Sequence, residues 1–359
     1  MPQPQESEQS VATRAECPAC GGTDTKAKFT RCRDLLYSTP GEFSVMACNA
    51  CGALFCDPQI TPDQFDTYYL ASYYPTAEQI LARRANRVAL WALRRFWGPV
   101  ERDTAFRAAA RAFFSAFSNG LRMMPPAHGR GRLLEVGCSS GERLFLLRRQ
   151  GWDAQGIEPS TDACAEAAKL GAPVQVCSLE NADLGAKSYD VIELCHVFEH
   201  LADPVGCLSK LRDALAPGGK ILLTLPNARS LGLALFGRSW RGLEVPRHCV
   251  VYSPKALGVL CSRLGLRVHR VRNLVAPDVI VGSVKFALND RRAGRRALSL
   301  SSTGAGCGSR YQPDRKLKNL AGRLVRKALA LALLPAALLG YGEVMQLEIV
   351  RGESPPQHA

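Results

Sequence analysis

The sequence lacks an apolar stretch long enough to cross a membrane. Its longest uncharged run, residues 328–342, is shorter than the roughly 20 residues that a spanning helix needs, and Pro335 interrupts it. The first ten residues contain neither a basic segment nor an apolar one, so they do not form a secretory signal. We therefore expect a cytoplasmic protein without a membrane-spanning helix.

Acidic residues are scarce relative to basic ones. The chain has 32 Asp and Glu residues against 46 Lys and Arg, which gives a net charge of +14. Such a balance favours an anionic partner, which could be a nucleotide-linked substrate, a nucleic acid or a membrane surface. Charge alone does not distinguish these three classes.

Composition divides the chain into six segments. We expect a disordered tail (1–13), a cysteine-rich module (14–60), an arginine-rich helical linker or cap (61–126), an α/β domain (127–288), a mobile basic insertion (289–318), and an apolar helix with a closing strand (319–352).

Strands alternate with helices after residue 131. Apolar runs predict strands at 132–137, 154–158, 174–177, 189–195, 221–225, 267–275 and 344–350, with helices between most of them and a tight turn at 216–220. This alternation predicts a doubly wound, Rossmann-like parallel sheet with right-handed crossovers.

A small-residue turn joins the first of these strands to its helix. Gly137 and Gly141 let the backbone turn sharply and approach a ligand closely, and the following helix offers free N–H groups to an anion. Ser139 replaces the middle glycine of a dinucleotide-binding motif, which argues against a pyrophosphate-bearing cofactor. About twenty residues later, Glu158 ends the second strand. It is either a ribose-binding carboxylate or an ordinary surface carboxylate.

The ordered segments 135–141, 156–158, 189–192 and 215–220 resemble the motifs of class I S-adenosylmethionine-dependent methyltransferases, over about residues 130–275. The resemblance implies S-adenosylmethionine as cofactor. Its methionine end would lie on the turn formed by Glu135, Gly137, Ser139 and Gly141. Glu158 would hold the ribose, Leu179 and Glu180 would lie by the adenine, and the loop that begins at Cys195 would face the transferred methyl group.

His196, Glu199 and His200 follow that strand at a spacing that places them on one face of a helical turn. The letters also match a zinc-protease pattern, but that pattern belongs within a long helix and not directly after a parallel strand. Ubiquinone-pathway O-methyltransferases look similar here and use a divalent metal, with a carboxylate at the position of His196. Metal assistance therefore remains open for this chain.

Two C-x-x-C pairs mark the N-terminal module. Cys17, Cys20, Cys48 and Cys51 supply four thiolates, enough for a closed, structural zinc site. The long gap between the pairs leaves room for a β-hairpin, and Cys32 and Cys56 are not expected to be ligands. The alternative interpretation is a small core of buried thiols.

The module and several downstream residues also resemble the zinc-ribbon head of bacterial methyltransferases in polysaccharide, glycolipid and natural-product clusters. The resemblance makes seven side chains candidates to line an acceptor pocket: Tyr68, Tyr69, Tyr73, Tyr74, Trp240, Arg247 and His248. For Trp240 and the tyrosine pairs, a role in the core is the alternative.

These features predict methyl transfer to an oxygen or carbon of a small acceptor that is anionic and either nucleotide-linked or lipid-linked. His196 or His248 would be the catalytic base. A nucleic-acid methyltransferase is one alternative, although the segment after the fifth strand lacks the aromatic tetrad of base-modifying enzymes. A non-catalytic zinc-ribbon protein with a degenerate methyltransferase domain is the other, and the intact glycine turn and Glu158 argue against it.

The apolar segment 320–339 allows two interpretations. Its apolar residues run nearly all round the helix, which favours burial against the sheet. Arg323, Arg326 and Lys327 at its start instead suit weak docking on an anionic membrane surface.

Overall fold

Two β-sheets organise the part of the chain that the structure describes. The computed structural model describes residues 15–60, 64–68, 75–81, 104, 106, 131–299 and 320–352. The strands are β1 (Thr25–Cys32), β2 (Phe43–Cys48), β3 (Leu54–Asp57), β4 (Arg132–Val136), β5 (Asp153–Glu158), β6 (Val174–Val176), β7 (Tyr189–Cys195), β8 (Leu215–Pro226), β9 (Val250–Val251), β10 (Leu266–Leu274) and β11 (Val344–Arg351). The helices are α1 (Phe65–Tyr68), α2 (Ala77–Leu81), α3 (Glu142–Gln150), α4 (Thr161–Lys169), α5 (Pro204–Ala214), α6 (Leu231–Phe236), α7 (Pro254–Arg263), α8 (Pro277–Ser299) and α9 (Leu320–Leu338).

The larger sheet has seven strands in the order β10-β11-β8-β7-β4-β5-β6. The pairs from β8 through β7, β4 and β5 to β6 are all parallel. β11 is antiparallel to both of its neighbours, β8 and β10. Helices connect β4 to β5, β5 to β6 and β7 to β8 along the chain, as crossovers between parallel strands require. The predicted α/β, Rossmann-like fold is confirmed.

The central strands β4 and β7 are buried on both faces. Leu133, Leu134, Ile192 and Leu194 are all fully buried, as expected for parallel strands that are covered by helices. Polar caps fix where the next helices begin. Ser160 accepts a hydrogen bond from the N–H of Ala163 at the start of α4, and the Asp203, Ser230 and Ser253 side chains cap α5, α6 and α7 in the same way.

The smaller sheet contains the cysteine-rich segment, in the order β1-β2-β3-β9 with every pair antiparallel. β1 and β2 form the hairpin expected between the two cysteine pairs. The fourth strand, β9, comes from the α/β part of the chain, where Leu54 faces Val251 and Phe55 faces Val250. The N-terminal segment is therefore tied to the rest of the molecule by a shared sheet.

Two boundary predictions are wrong. Residues 216–220, predicted as a tight turn, belong to β8 as an irregularity: Leu215 pairs with Tyr189 and Lys220 pairs with Val191, so the extra residues bulge out. Residues 289–299, predicted to begin a mobile insertion, continue α8. Their arginines and alanines are good helix formers, so an Arg-rich composition did not end the helix. Residues 300–318 of the predicted insertion lie outside the described residues.

The prediction that α9 is buried against the sheet is wrong. Leu331, Leu338 and Leu339 are each more than 70% exposed: 73%, 79% and 73%. The helix contacts α8 and the edge strand β10, so only part of its surface is covered. Even so, none of the helices among the described residues combines the length and the hydropathy needed to cross a bilayer. The predicted tail and most of the predicted linker helices lie outside the described residues.

Candidate active site

The small-residue turn after β4 has the backbone that the sequence predicts. Gly137, Ser139 and Gly141 have φ angles of 67°, 51° and 73°, in the left-handed region. A Cβ added to Gly137 would lie 2.5 Å from the side chain of Val197, so glycine is required there for space as well as for conformation. Gly141 is the N-cap residue of α3 and makes no side-chain cap, and the N-terminus of a helix favours an anionic ligand.

Glu158 is held against this turn. Its carboxylate accepts hydrogen bonds from the N–H groups of Ser139 (2.9 Å) and Ser160 (3.1 Å), and the residue is only 4% exposed. This burial excludes an ordinary surface carboxylate. A carboxylate at the end of this strand, beside the glycine turn, is the kind of group that accepts hydrogen bonds from the hydroxyls of a ribose.

Buried charge lies beneath the turn. Glu135 is 4% exposed, and its Oε2 atom has no hydrogen-bond partner among the described residues. Burial raises the pKa of Glu135 to about 8, which the positive charge of Arg143 offsets only in part. Arg143 forms a bidentate pair with the buried Glu193, which the sequence analysis did not single out. A buried acceptor without a donor suits a ligand that supplies one, such as an ammonium group.

The remaining predicted cofactor residues lie nearby along the sheet. Leu179 is buried, whereas Glu180 is exposed and its backbone carbonyl accepts a hydrogen bond from Lys210. Cys195 ends β7 and is half-buried. Burial raises the pKa of its thiol to about 12, so Cys195 is a protonated, neutral group at physiological pH.

The loop after β7 brings together three of the chain's histidines and one carboxylate. His196 has a φ of 58°, an uncommon conformation for a residue with a side chain. Its Nδ1 lies 3.1 Å from Oε1 of Glu199, which is fully buried. Burial would lower the pKa of His196, but the hydrogen bond and negative charge of Glu199 outweigh it and raise the pKa. This is the arrangement of a carboxylate that orients an imidazole base.

His200 and His248 face each other across the same site, with ring centroids 4.7 Å apart. The Nδ1 atom of His200 donates to the Arg247 carbonyl (2.9 Å), and that of His248 donates to the Gly242 carbonyl (2.8 Å). Burial and the neighbouring His248 lower the pKa of His200 to about 4, so this ring is neutral near pH 7. Glu199, His200 and His248 each offer one ligand atom, and these atoms lie within 4.8 Å of one another, so they could also hold a cation.

A cavity of about 320 Å³ opens beside these histidines. Its polar lining includes His196, His200, His248, Arg241, Glu244 and Glu343. Both predicted catalytic histidines therefore line one cavity. The sequence analysis missed Arg241, Glu244 and Glu343, because they lie in irregular segments or at the start of a distant strand and carry no motif.

The other predicted pocket residues divide into two groups. Trp240 and Arg247 are each 1% exposed and do not line the cavity, so the pocket prediction is wrong for Arg247, whereas Trp240 matches the core alternative. Trp240 instead donates to Oε2 of Glu343 (2.7 Å) and so supports the wall from behind. Tyr68 is buried and bonds the Pro40 carbonyl, which matches the core alternative, whereas Tyr69, Tyr73 and Tyr74 lie outside the described residues.

The four predicted cysteines converge at the end of the smaller sheet. The sulfur atoms of Cys17 and Cys51 are 3.7 Å apart, those of Cys20 and Cys48 are 3.6 Å apart, and all four lie within 4.8 Å. Four thiolates around a tetrahedral zinc, at Zn–S distances of about 2.3 Å, would be about 3.8 Å apart. The donor set and spacing therefore fit a zinc ion. Cys32 and Cys56 are outside this cluster.

Residues 106–271 match a family described as a methyltransferase domain. The chain is 29% identical over 172 residues to a ubiquinone biosynthesis O-methyltransferase of Cereibacter sphaeroides, covering 45% of this chain and 68% of that protein. It is 28% identical over 103 residues to the Aliivibrio fischeri protein of the same name, covering 27% of this chain and 44% of that protein. The matches thus span between 44% and 68% of the length of these curated relatives.

Solved structures with a similar chain path include two S-adenosylmethionine-dependent methyltransferases. The one from Archaeoglobus fulgidus is 17% identical, with a TM-score of 0.40 over 68% of this chain and 91% of that chain. The one from Mesorhizobium loti is 15% identical, with a TM-score of 0.40 over 65% and 96%.

Proposed function

We propose that the protein transfers the methyl group of S-adenosylmethionine to an oxygen or carbon of a small acceptor in the cavity beside His196. The match of residues 106–271 to a methyltransferase domain supports this proposal. One observation carries this proposal. The glycine turn packs directly against the cavity loop, since Gly137 leaves no room for a Cβ beside Val197, the residue after His196. A cofactor on the turn therefore ends next to the cavity.

The cofactor would be held along the carboxyl ends of β4, β5 and β7. The turn residues Glu135, Gly137, Ser139 and Gly141 would take its methionine end, and Glu158 would take its ribose. Leu179 and Glu180 would flank the adenine, and Cys195 would lie near the sulfonium. When bound, S-adenosylmethionine supplies a methyl group that is open to in-line displacement. The protein contributes alignment of the two reactants.

His196 is the base that the geometry favours. Its Nδ1 is held by Glu199, and its side chain is 44% exposed beside the cavity, so Nε2 is the nitrogen available to an acceptor. His248, the other predicted base, is only 7% exposed and has Nδ1 fixed by the Gly242 carbonyl. We therefore assign proton removal to His196 and a supporting place in the wall to His248.

The lining of the cavity suits a polar acceptor. Arg241 supplies a cation, and Glu244, Glu343 and Asp278 supply carboxylates that could accept hydrogen bonds from hydroxyl groups. Apolar lining comes from Pro226, Val279 and Val344. A hydroxyl-rich acceptor with one anionic group fits this lining best. The relatives named as O-methyltransferases support transfer to oxygen.

Two accessory features complete the proposal. A structural zinc would occupy the cluster of Cys17, Cys20, Cys48 and Cys51. The exposed leucines of α9, with exposed Lys327 near its start, would dock weakly on an anionic membrane surface. Because Glu343, only five residues beyond the end of α9, lines the cavity, such docking would bring a lipid-linked acceptor close to it.

Calorimetric titration with S-adenosylmethionine tests the proposal directly. We expect wild-type protein to bind the cofactor and Glu158→Gln to bind it more weakly, since each hydrogen bond to a charged acceptor contributes about 1.5–3 kcal/mol. Asp183→Asn, at an exposed carboxylate between β6 and β7, is the matched control and should bind normally. Wild-type protein that does not bind the cofactor would refute the proposal. Equal affinity in Glu158→Gln would refute the assigned ribose site.

A further inference from the structure

Arg247 connects three parts of the molecule although it is almost fully buried. Its guanidinium forms a bidentate pair with Asp34 of the N-terminal segment, at 3.0 and 2.8 Å, and the two side chains are 1% and 0% exposed. Its Nε donates to Glu244 (3.1 Å), which lines the cavity. Its carbonyl accepts the Nδ1–H of His200, and its neighbour along the chain is His248.

Asp34 is itself rigidly held. Its carboxylate also accepts the backbone N–H groups of Leu36, Tyr37 and Thr39 at 2.9, 3.1 and 3.3 Å. Burial would raise the pKa of Asp34, but the hydrogen bonds and charge of Arg247, with these N–H groups, hold it below its usual value. Asp34 therefore offers Arg247 a fixed, ionised anchor.

The strand beyond His248 is anchored in the same N-terminal segment. The N–H of Cys56 donates to the carbonyl of Cys249 (3.0 Å), and β3 then pairs with β9. Ser253 donates to the carbonyl of Cys51 (2.8 Å), a member of the four-cysteine cluster. Residues on both sides of His248 are thus held by the N-terminal segment, by an ion pair before it and by a strand after it.

We propose that Asp34 is a positioning residue of the acceptor site: through Arg247 it fixes the ring of His200 and the Glu244 wall, so the N-terminal segment completes the cavity rather than merely adjoining the catalytic domain. This inference rests on the proposed function in one respect, that the cavity binds the acceptor. It does not involve the cofactor residues, because no contact of Asp34 or Arg247 described above reaches the glycine turn or Glu158.

Histidine-selective NMR on the full chain tests this inference without a known acceptor. The sequence has six histidines, so few ring signals need assignment, and His200→Gln identifies that of His200. The Nδ1–H of His200 is bonded to a carbonyl and should give a slowly exchanging proton resonance. The variants are Asp34→Asn, which removes the charge, and Asp34→Glu, which keeps it on a longer side chain. The matched control is Glu42→Gln, which breaks an exposed pair with Arg33 in the same segment.

We expect Asp34→Asn to lose the protected His200 proton and to shift His248, while its affinity for S-adenosylmethionine stays at the wild-type value. Asp34→Glu should retain the His200 proton at a shifted position, and Glu42→Gln should match wild type. If Asp34→Asn does not fold, the charge-conserving Asp34→Glu decides the question. Wild-type His200 and His248 signals in either folded variant would overturn the inference. A wild-type protein that fails to bind the cofactor would instead count against the proposed function.

Discussion

The cofactor side and the acceptor side of this active site are built in different ways. The cofactor side comes from one stretch of about sixty residues, in which Glu135, the glycine turn, Glu158 and Cys195 all lie at or near the ends of adjacent parallel strands. The acceptor side draws on segments as far apart as Asp34 and Glu343. The first depends on local backbone conformation, and the second depends on long-range contacts between buried charges.

This difference implies different sensitivities. A turn that is fixed by glycine conformation tolerates changes elsewhere in the chain, because its geometry follows from its own residues. The acceptor wall depends on Arg247, which without Asp34 would keep only Glu244 as an ion-pair partner for its buried charge. Damage to the N-terminal segment should therefore reach the acceptor side and spare the cofactor side.

Removal of one cysteine ligand damages the N-terminal segment most strongly, and it has the largest expected effect. A four-thiolate zinc contributes about 10 kcal/mol or more of apparent binding free energy to the folded state, so Cys48→Ser should lose the metal and several kcal/mol of stability. Cys32→Ser is the control, because Cys32 is buried in the same sheet but outside the cluster. Metal analysis and thermal melting measure both. If wild-type protein without metal melts at the same temperature as protein with metal, the four cysteines form only a core of buried thiols.

The same contrast explains what could be predicted from the sequence. The turn, Glu158 and the alternation of strands with helices follow from short-range patterns, and the four cysteines follow from two local pairs. The acceptor wall could not be found this way: no pattern connects Asp34 to Arg247, and Arg241 and Glu343 become neighbours only when β11 enters the sheet. The sequence singles out His196 and His248, which line the cavity. It does not distinguish them from Trp240 and Arg247, which are buried behind the cavity wall, because a sequence motif does not report whether a side chain faces a cavity or the core.

Substitution of His196 probes the acceptor side at its reactive end. As a general base, His196 must be neutral, so the rate should rise with pH through its raised pKa. His196→Gln should lower the rate of transfer to an identified acceptor by about 100- to 10,000-fold, whereas the exposed His269→Gln should not. Glu199→Gln should move the rising limb to lower pH, because Glu199 stabilises the protonated ring.

A metal-dependent mechanism predicts a different pattern. If Glu199, His200 and His248 hold a catalytic cation, chelation should abolish transfer and a divalent metal should restore it, while His196→Gln would have little effect. That pair of results would contradict the assignment of His196 as the base.

Two glycines of matched conformation test how the cofactor side works. Gly137 and Gly171 have φ angles of 67° and 70°, but a Cβ at Gly137 would meet Val197 at 2.5 Å, whereas nothing lies within 4 Å at Gly171. Gly171→Ala should cost about 1–2 kcal/mol of unfolding free energy for the left-handed backbone. Gly137→Ala should cost about 1–3 kcal/mol more and weaken cofactor binding. Denaturant unfolding measures the difference, and equal costs would show that the turn does not pack on the cavity loop.

The smallest expected effect is weak binding of the protein to lipid vesicles. This binding tests whether the acceptor side includes a membrane-contacting surface outside the cavity. α9 presents Leu331 and Leu338 to solvent, Leu339 directly after it is exposed as well, and each basic residue near anionic lipid adds roughly 1 kcal/mol of attraction. We expect weak, salt-sensitive sedimentation with anionic vesicles and none with neutral ones.

The double variant Leu331→Gln/Leu338→Gln should stay in the supernatant, and Lys327→Glu should bind less. Val176→Gln, which changes an exposed apolar residue on the opposite edge strand β6, is the control and should sediment like wild type. Wild-type protein that remains in the supernatant with anionic vesicles at low salt would show that α9 does not serve as a membrane contact.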